Sequence, residues 1–178
     1  MTSFPPRPAG ALLALAALLA LTAQSPEPVA AAQSWCTRIP LPQSARGPAC
    51  RPLEIRAGRT TLRLAVASTE KQRERGLMNV KRVPPGQGMI FAFPGGDELR
   101  GFWMKDTITP LDMVFVRGDG TIVMIAVNVP ASSLMTPDDK VARRQAVAKY
   151  VIELGAHDSE RIGLEPGMQL FVPPVEAQ

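Results

Sequence analysis

The sequence predicts a mainly β, β-rich α+β domain, either a small barrel or a rolled antiparallel sheet with two short helices. Short apolar or alternating segments recur along the chain, and 18 prolines and 14 glycines punctuate them. The 178 residues are 46% hydrophobic and 20% charged, which is ordinary for a globular protein and too apolar for a disordered one. One domain with a small addition is therefore expected.

The first half of the domain shows two alternating segments, residues 53–56 and 62–66, around a turn at Gly58. This pattern predicts a β-hairpin with one apolar face. Thr69 followed by Gln72 matches a capping box, and Gly76 matches a helix stop, so a short helix is expected between them. Residues 89–93 and 101–104 are strand candidates.

The second half contains two strongly apolar segments, residues 111–116 and 121–127, which flank Arg117-Gly118-Asp119-Gly120. The Asp-Gly turn predicts a hairpin. Residues 128–146 read as a long polar loop, a kind of segment that is often functional. A buried strand is expected at residues 146–154, a short helix at 156–162 and a last strand at 169–172.

Residues 1–32 have the order of a secretory signal peptide, with Arg7, an apolar run at 11–21, and Ala30-Ala31-Ala32. Eleven residues span about 16 Å as a helix, too short for a transmembrane span across about 30 Å of bilayer core. We therefore expect an exported protein, periplasmic or extracellular. A Pro-rich N-terminal arm at 33–52, a β-rich domain at 53–173 and a C-terminal tail at 174–178 follow.

Cys36 and Cys50 are the two cysteines of the chain. In an oxidising compartment two cysteines most often pair, so a structural disulfide is expected in the arm. Closing a loop of this length would stabilise the fold by roughly 3 kcal/mol in the entropic model.

The formal net charge is +4, but the basic residues are mixed with acidic ones, as in Glu70-Lys71-Gln72-Arg73-Glu74-Arg75. This mixture favours a solvated surface over a nucleic-acid partner. The single histidine, His157, excludes multi-histidine zinc motifs, and the sequence predicts no metal and no cofactor.

Five short motifs place charged or bulky polarisable groups in apolar context. In order they are Arg75-Gly76-Leu77-Met78, Gly88-Met89-Ile90-Phe91, Phe102-Trp103-Met104-Lys105-Asp106-Thr107, Pro110-Leu111-Asp112 and Val151-Ile152-Glu153-Leu154. Together they resemble the domain of unknown function 192 family over about residues 53–173. The resemblance implies a compact, mostly β fold and frequent export, which makes the periplasm the favoured compartment. It implies no established activity.

The chain departs from the family pattern at three positions. Asp106 replaces the usual asparagine, Asn79 an often aromatic residue, and Met168 a common aspartate. The first departure argues against any role that needs a neutral amide at position 106.

The candidate binding residues are Arg75, Trp103, Lys105, Asp112 and Glu153. Because a charge in an apolar strand is costly unless it is paired, Lys105, Asp112 and Glu153 are expected to form an internal ion-pair network. The alternative is a ligand pocket that these groups line together with Arg75. Trp103 is favoured as a core residue, and the alternative is an exposed platform for a sugar, a peptide or a protein.

The favoured function is an exported, non-catalytic accessory or binding domain. Its cleft would be rimmed by Trp103, Lys105, Asp112 and Glu153, with the 128–146 loop as a cover, and its partner would be an unknown small ligand or an envelope protein. The first alternative is a hydrolase or transferase that uses Lys105 with Asp112 or Glu153 as acid and base.

The second alternative is a Cu(I)-binding protein that uses thioether ligands. Against it, methionine is a normal filler of apolar cores. The seven methionines in question are Met78, Met89, Met104, Met113, Met124, Met135 and Met168. His157, which could add an imidazole ligand, is expected to be exposed and inert.

Overall fold

The computed structural model describes residues 52–178, and within them the chain is mainly β with two short helices. The fold class expected from the sequence is therefore confirmed. The predicted signal peptide and the Cys36–Cys50 disulfide lie outside the described residues. In chain order the elements are β1 (Leu53–Ala57), β2 (Thr60–Ala67), α1 (Glu70–Arg75), β3 (Gln87–Ala92), β4 (Glu98–Trp103), β5 (Leu111–Val116), β6 (Ile122–Val129), β7 (Arg143–Ala148), β8 (Tyr150–Gly155) and α2 (Asp158–Ile162).

Six strands form one open sheet in the order β1-β2-β3-β8-β5-β6. The β2–β3 pair is parallel and is connected through α1, and the other pairs are antiparallel. The barrel expected as one option is wrong for residues 52–178. The two edge strands, β1 and β6, do not pair with each other, and β4 and β7 form a separate two-stranded ribbon.

The sheet has an apolar layer on each face. Every residue of β5 is buried, and so are five of the six residues of β3 and of β8, which explains why these strands read as continuous apolar runs. The β4–β7 ribbon covers one face, where Phe102 packs on the core. On the other face, Leu164 and Leu170 from the segment after α2 complete the second cluster.

Local sequence signals position the two ends of α1 as predicted. The Thr69 hydroxyl accepts a hydrogen bond from the Gln72 backbone N–H, and the Gln72 side chain accepts one from the Thr69 N–H at 3.0 Å, which completes the capping box. Gly76 ends the helix with a φ of 45°, a conformation that favours glycine. The chain therefore turns sharply after Arg75, and Leu77, two residues later, is buried in the core.

The predicted hairpin around residues 117–120 is confirmed, since β5 and β6 pair antiparallel and the Asp119 side chain accepts the Thr121 N–H at 2.8 Å. Two expectations for the C-terminal part are wrong. Residues 146–154 contain two strands rather than one, because the chain changes from β7 to β8 around Lys149. In place of a last strand at 169–172 there is an isolated bridge between Thr121 and Gln169.

Among the helices of residues 52–178, none has the length and apolar character needed to cross a membrane.

Candidate functional site

Four of the five candidate residues line one cleft on the ribbon side of the sheet. Arg75, Trp103, Lys105 and Glu153 border a cavity of about 210 Å³, called here the Glu153 cleft. At about 30 Å³ for each water molecule, this volume corresponds to roughly seven waters, so the cleft suits a ligand smaller than a typical drug.

Glu153 lies on the central strand β8, between Met89 of β3 and Met113 of β5. It is 5% exposed, and no group of residues 52–178 forms a hydrogen bond or ion pair with its carboxyl. Burial in this apolar setting raises the pKa of Glu153 from its ordinary value of 4.5 to about 8, because the ionised form would lose its hydration. Glu153 is thus predominantly neutral at pH 7, able to donate one hydrogen bond and accept others.

The cationic side of the rim comes from the end of α1. Arg73 has a structural role, because its guanidinium donates hydrogen bonds to the carbonyl oxygens of Ser68 at 2.8 Å and Ala92 at 3.1 Å. Arg75 is exposed at the rim and forms no ion pair within residues 52–178. Glu74 also lines the cleft, so the rim carries charges of both signs.

A second part of the lining comes from β4 and the residues that follow it. The Lys105 ammonium pairs with the carboxylate of Asp138, which belongs to the connection between β6 and β7. This hydrogen bond raises the pKa of Lys105 and lowers the pKa of Asp138. The sequence did not single out Asp138, because the contact joins residues 33 positions apart along the chain.

Phe91, Phe93 and Phe102 form an aromatic wall in the lining of the cleft. Phe102 meets Phe91 edge-to-face with ring centroids 4.8 Å apart, and it meets Phe93 and Phe115 in the same way at 6.0 Å. Such pairs fix the ring orientation as well as burying apolar area. The wall is therefore a preformed apolar surface beside Glu153.

Trp103 is 42% exposed, so the favoured interpretation of Trp103 as a core residue is wrong. It is the last residue of β4, on the ribbon. The Arg143 guanidinium lies over its ring, 5.4 Å from the ring centroid, in a cation–π contact. Trp103 also borders a wider groove of about 670 Å³ that includes Met124, Arg143 and Arg144. This wider groove is more open, and none of the residues that line it is a buried carboxyl.

Asp112 does not belong to the cleft. Successive residues of a strand point to opposite faces, so Asp112 lies on the α2 side of β5 while Met113 faces the ribbon. The Asp112 carboxylate accepts hydrogen bonds from the backbone N–H groups of Asn128 at 2.8 Å and His157 at 2.9 Å. It also accepts the N–H of Ser159 at 2.8 Å and its hydroxyl at 2.6 Å. Asp112 therefore fixes the start of α2 on the sheet.

The expected ion-pair network of Lys105, Asp112 and Glu153 is wrong for the described part of the chain. Lys105 pairs with Asp138, Asp112 accepts only uncharged N–H and O–H donors, and Glu153 has no ionic partner there. An acid–base pair needs its groups within about 3 Å of each other or of a shared point. The structure does not bring Lys105 and Asp112 together in this way.

The groups that could hold a metal are dispersed. Residues 52–178 contain no cluster of three or more histidine, cysteine, aspartate or glutamate side chains arranged to bind an ion. Met89, Met104 and Met113 are fully buried among apolar residues, as expected of core methionines. His157 is exposed as predicted, and its Nδ1 lies 2.8 Å from Glu160 Oε2.

Asp106 adopts a left-handed backbone conformation with a φ of 52°. Its Oδ1 is buried without a hydrogen-bond partner in residues 52–178. Asparagine and aspartate tolerate this conformation better than most residues, which explains the residue type at this turn. The turn joins the Trp103–Lys105 side of the cleft to the strand that carries Asp112.

Comparison with known families agrees with these motifs. The model of domain of unknown function 192, described as "Uncharacterized ACR", matches residues 44–172. The chain belongs to this family. The family motifs thus supply both sides of the cleft and, through Asp112, an internal helix anchor. No curated protein matches the chain.

Two crystal structures resemble the chain. A protein of unknown function from Novosphingobium aromaticivorans DSM 12444 is 28% identical, with a TM-score of 0.57, and the match covers 67% of this chain and 82% of that one. A protein from Sinorhizobium meliloti 1021, described as a candidate transcription regulator, is 34% identical with a TM-score of 0.55. That match covers 70% of this chain and 96% of the other.

Proposed function

We propose that this member of the domain of unknown function 192 family is an exported binding domain that holds a small molecule in the Glu153 cleft. The observation that carries the proposal is a buried carboxyl without a protein partner in residues 52–178, lining a cleft. Because no protein group of residues 52–178 bonds to this carboxyl, a ligand that forms hydrogen bonds with it gains affinity from them.

The surroundings of Glu153 support binding rather than catalysis. An acid–base mechanism needs a second titratable group beside the first, and no hydrogen bond joins Lys105 or Asp112 to Glu153. The aromatic wall instead offers an apolar surface for the body of a ligand, while the neutral Glu153 offers one donor and one acceptor.

Export is part of the proposal and is supported by the sequence of residues 1–32, which has the order of a cleavable signal. The same compartment favours a disulfide between Cys36 and Cys50. Binding of nucleic acid has less support, because several arginines pair with acids, as Arg63 does with Glu54 and Arg100 with Glu98.

Native mass spectrometry of the protein purified from its natural host tests the proposal. After incubation with a protein-free extract of the host's small molecules, the wild type should carry an extra mass that disappears on denaturation. Glu153→Gln keeps a neutral donor and acceptor and should retain this mass, whereas Glu153→Leu should lose it. Glu165→Gln, a change at an exposed residue outside the cleft, is the matched control.

Two results would overturn the proposal. In the first, Glu153→Leu retains the bound mass as well as the wild type does. In the second, no extra mass is found on the wild type either as purified or after incubation with the extract. Circular dichroism of each variant checks that it is folded.

A further inference from the structure

Lys105 lines the Glu153 cleft, and its ammonium pairs with Asp138, a residue outside the lining of the cleft. Asp138 belongs to the segment of residues 133–140, which is exposed apart from the half-buried Thr136. The segment is anchored at each end. Ser132 is buried and its N–H donates to the Thr107 carbonyl at 2.9 Å, and Val141 is buried in the core.

Between these anchors, the Lys105–Asp138 pair is the ionic contact that holds the segment to the cleft. The Arg143 guanidinium also donates to the backbone carbonyl of Asp138 at 3.2 Å. The Asp138 carboxylate is well exposed to solvent. Because its acidic partner is well exposed, the pair contributes little net stability, and another carboxylate can take the place of Asp138 at little cost.

The charges around the cleft favour such a replacement. Arg75 and Lys105 both line the cleft. The carboxylates near them are Glu74, next to Arg75 in the chain, and Asp138 and Asp106, which both raise the pKa of Lys105. Glu153 lies deeper and has no ionic partner within residues 52–178. If Asp138 moves away, Lys105 and Arg75 are left as cations that face a small, partly apolar cavity.

We propose that the ligand of the Glu153 cleft is a small organic carboxylate with an apolar body, and that its carboxylate displaces Asp138 from Lys105. This inference rests on the proposed function and names the chemical class of its ligand. Asp138 then acts as an internal stand-in for the ligand's charged group. The body of the ligand packs on the wall formed by Phe91, Phe93 and Phe102, and an uncharged polar end reaches Glu153.

The volume of the cleft limits the size of this carboxylate. About 210 Å³ accommodates a single six-membered ring with two small substituents, and not an extended chain or a nucleotide. A ring with a carboxylate at one end and a hydroxyl at the other offers a charged group for Lys105, an apolar body for the phenylalanines and an uncharged polar group for Glu153.

The test uses two probes of equal size, 4-hydroxybenzoate and the uncharged 4-hydroxybenzamide, titrated into the full-length mature protein by calorimetry or NMR. The acid should bind the wild type saturably and more tightly than the amide. Asp138→Asn removes the competing carboxylate and should tighten binding of the acid by roughly two- to five-fold. Lys105→Met should weaken binding of the acid by about ten-fold, the effect of losing a charge-assisted hydrogen bond.

The matched control is Asp139→Asn, at the neighbouring exposed aspartate that pairs with Lys140 instead. It should leave the affinity for the acid unchanged, and neither the Lys105 nor the Asp138 substitution should alter the affinity for the amide.

The outcomes separate this inference from the proposed function. Equal binding of acid and amide, or an affinity for the acid that is the same in wild type, Lys105→Met and Asp138→Asn, would overturn the carboxylate class. The cleft would still be a binding site if Glu153→Leu abolished binding of both probes. If the acid bound saturably to neither the wild type nor Asp138→Asn, the inference would also be overturned. The proposed function would then depend only on whether native mass spectrometry finds a bound small molecule.

Discussion

Replacing Glu153 by glutamine should remove a pH dependence of stability that the wild-type protein carries between about pH 5 and pH 8. In the folded protein the pKa of Glu153 is raised to about 8, and in the unfolded chain it returns to its ordinary value of 4.5. Between these two values the folded state keeps a proton that the unfolded state releases. The free energy of unfolding therefore falls as the pH rises, and the fall ends above the folded pKa.

The expected fall in the free energy of unfolding follows from these two pKa values. Each pH unit between them corresponds to about 1.4 kcal/mol, so the full interval corresponds to an upper limit of about 5 kcal/mol. Glutamine has nearly the same shape as the neutral acid and does not titrate. The variant should therefore become more stable relative to the wild type by about 1.4 kcal/mol for each unit from pH 5 to pH 8.

Urea denaturation followed by tryptophan fluorescence at several pH values measures this difference. The charged groups around the cleft, Arg73, Glu74, Arg75 and Lys105, are present in both proteins, so their own contributions cancel in the comparison. For Glu165→Gln, at an exposed position, the free energy of unfolding should change with pH as it does for the wild type. If the curves of wild type and Glu153→Gln also ran parallel from pH 5 to pH 8, the carboxyl would ionise normally in the folded protein and the reasoning would be refuted.

Three further predictions concern stability. Asp112→Ala should lower the free energy of unfolding by about 4 kcal/mol, because it leaves three backbone N–H groups and a hydroxyl without their acceptor; an unchanged urea midpoint would contradict this. Gly88→Ala should cost about 3 kcal/mol or more, since the added Cβ would lie 2.0 Å from the backbone oxygen of Glu153 and force β3 and β8 apart; a thermal melt like that of the wild type would exclude the clash. The mature protein should weigh about 2 Da less than its fully reduced form if Cys36 and Cys50 pair, and reduction should lower its stability by roughly 3 kcal/mol; a mass unchanged by reduction would exclude the disulfide.

Local signals in the sequence were sufficient for several elements. The capping box of Thr69 and Gln72 and the stop at Gly76 bound α1 because these interactions join residues three or four positions apart. The turn at residues 117–120 specified the hairpin of β5 and β6 for the same reason. The two-stranded ribbon was not predicted, because the paired residues of β4 and β7 are at least 40 positions apart and no local signal marks such a pairing.

The sequence also selected Arg75, Trp103, Lys105 and Glu153 from their motifs, and the fold brings these four to one cleft. Asp112 was grouped with them because the sequence of an apolar strand does not indicate to which face of the sheet a charged residue points. Only the register of β5 decides which face the side chain takes, and this register puts Asp112 against α2.

The sequence by itself determined the mainly β class, the family and four of the residues that line the cleft, because composition, alternation and short motifs are local properties of the chain. The tertiary structure alone decided that the sheet stays open, that Asp138 pairs with Lys105 and that the Glu153 carboxyl lies in the cleft without an ionic partner in residues 52–178. These are relations between distant segments, and they depend on which strands pair and on the face to which each side chain points.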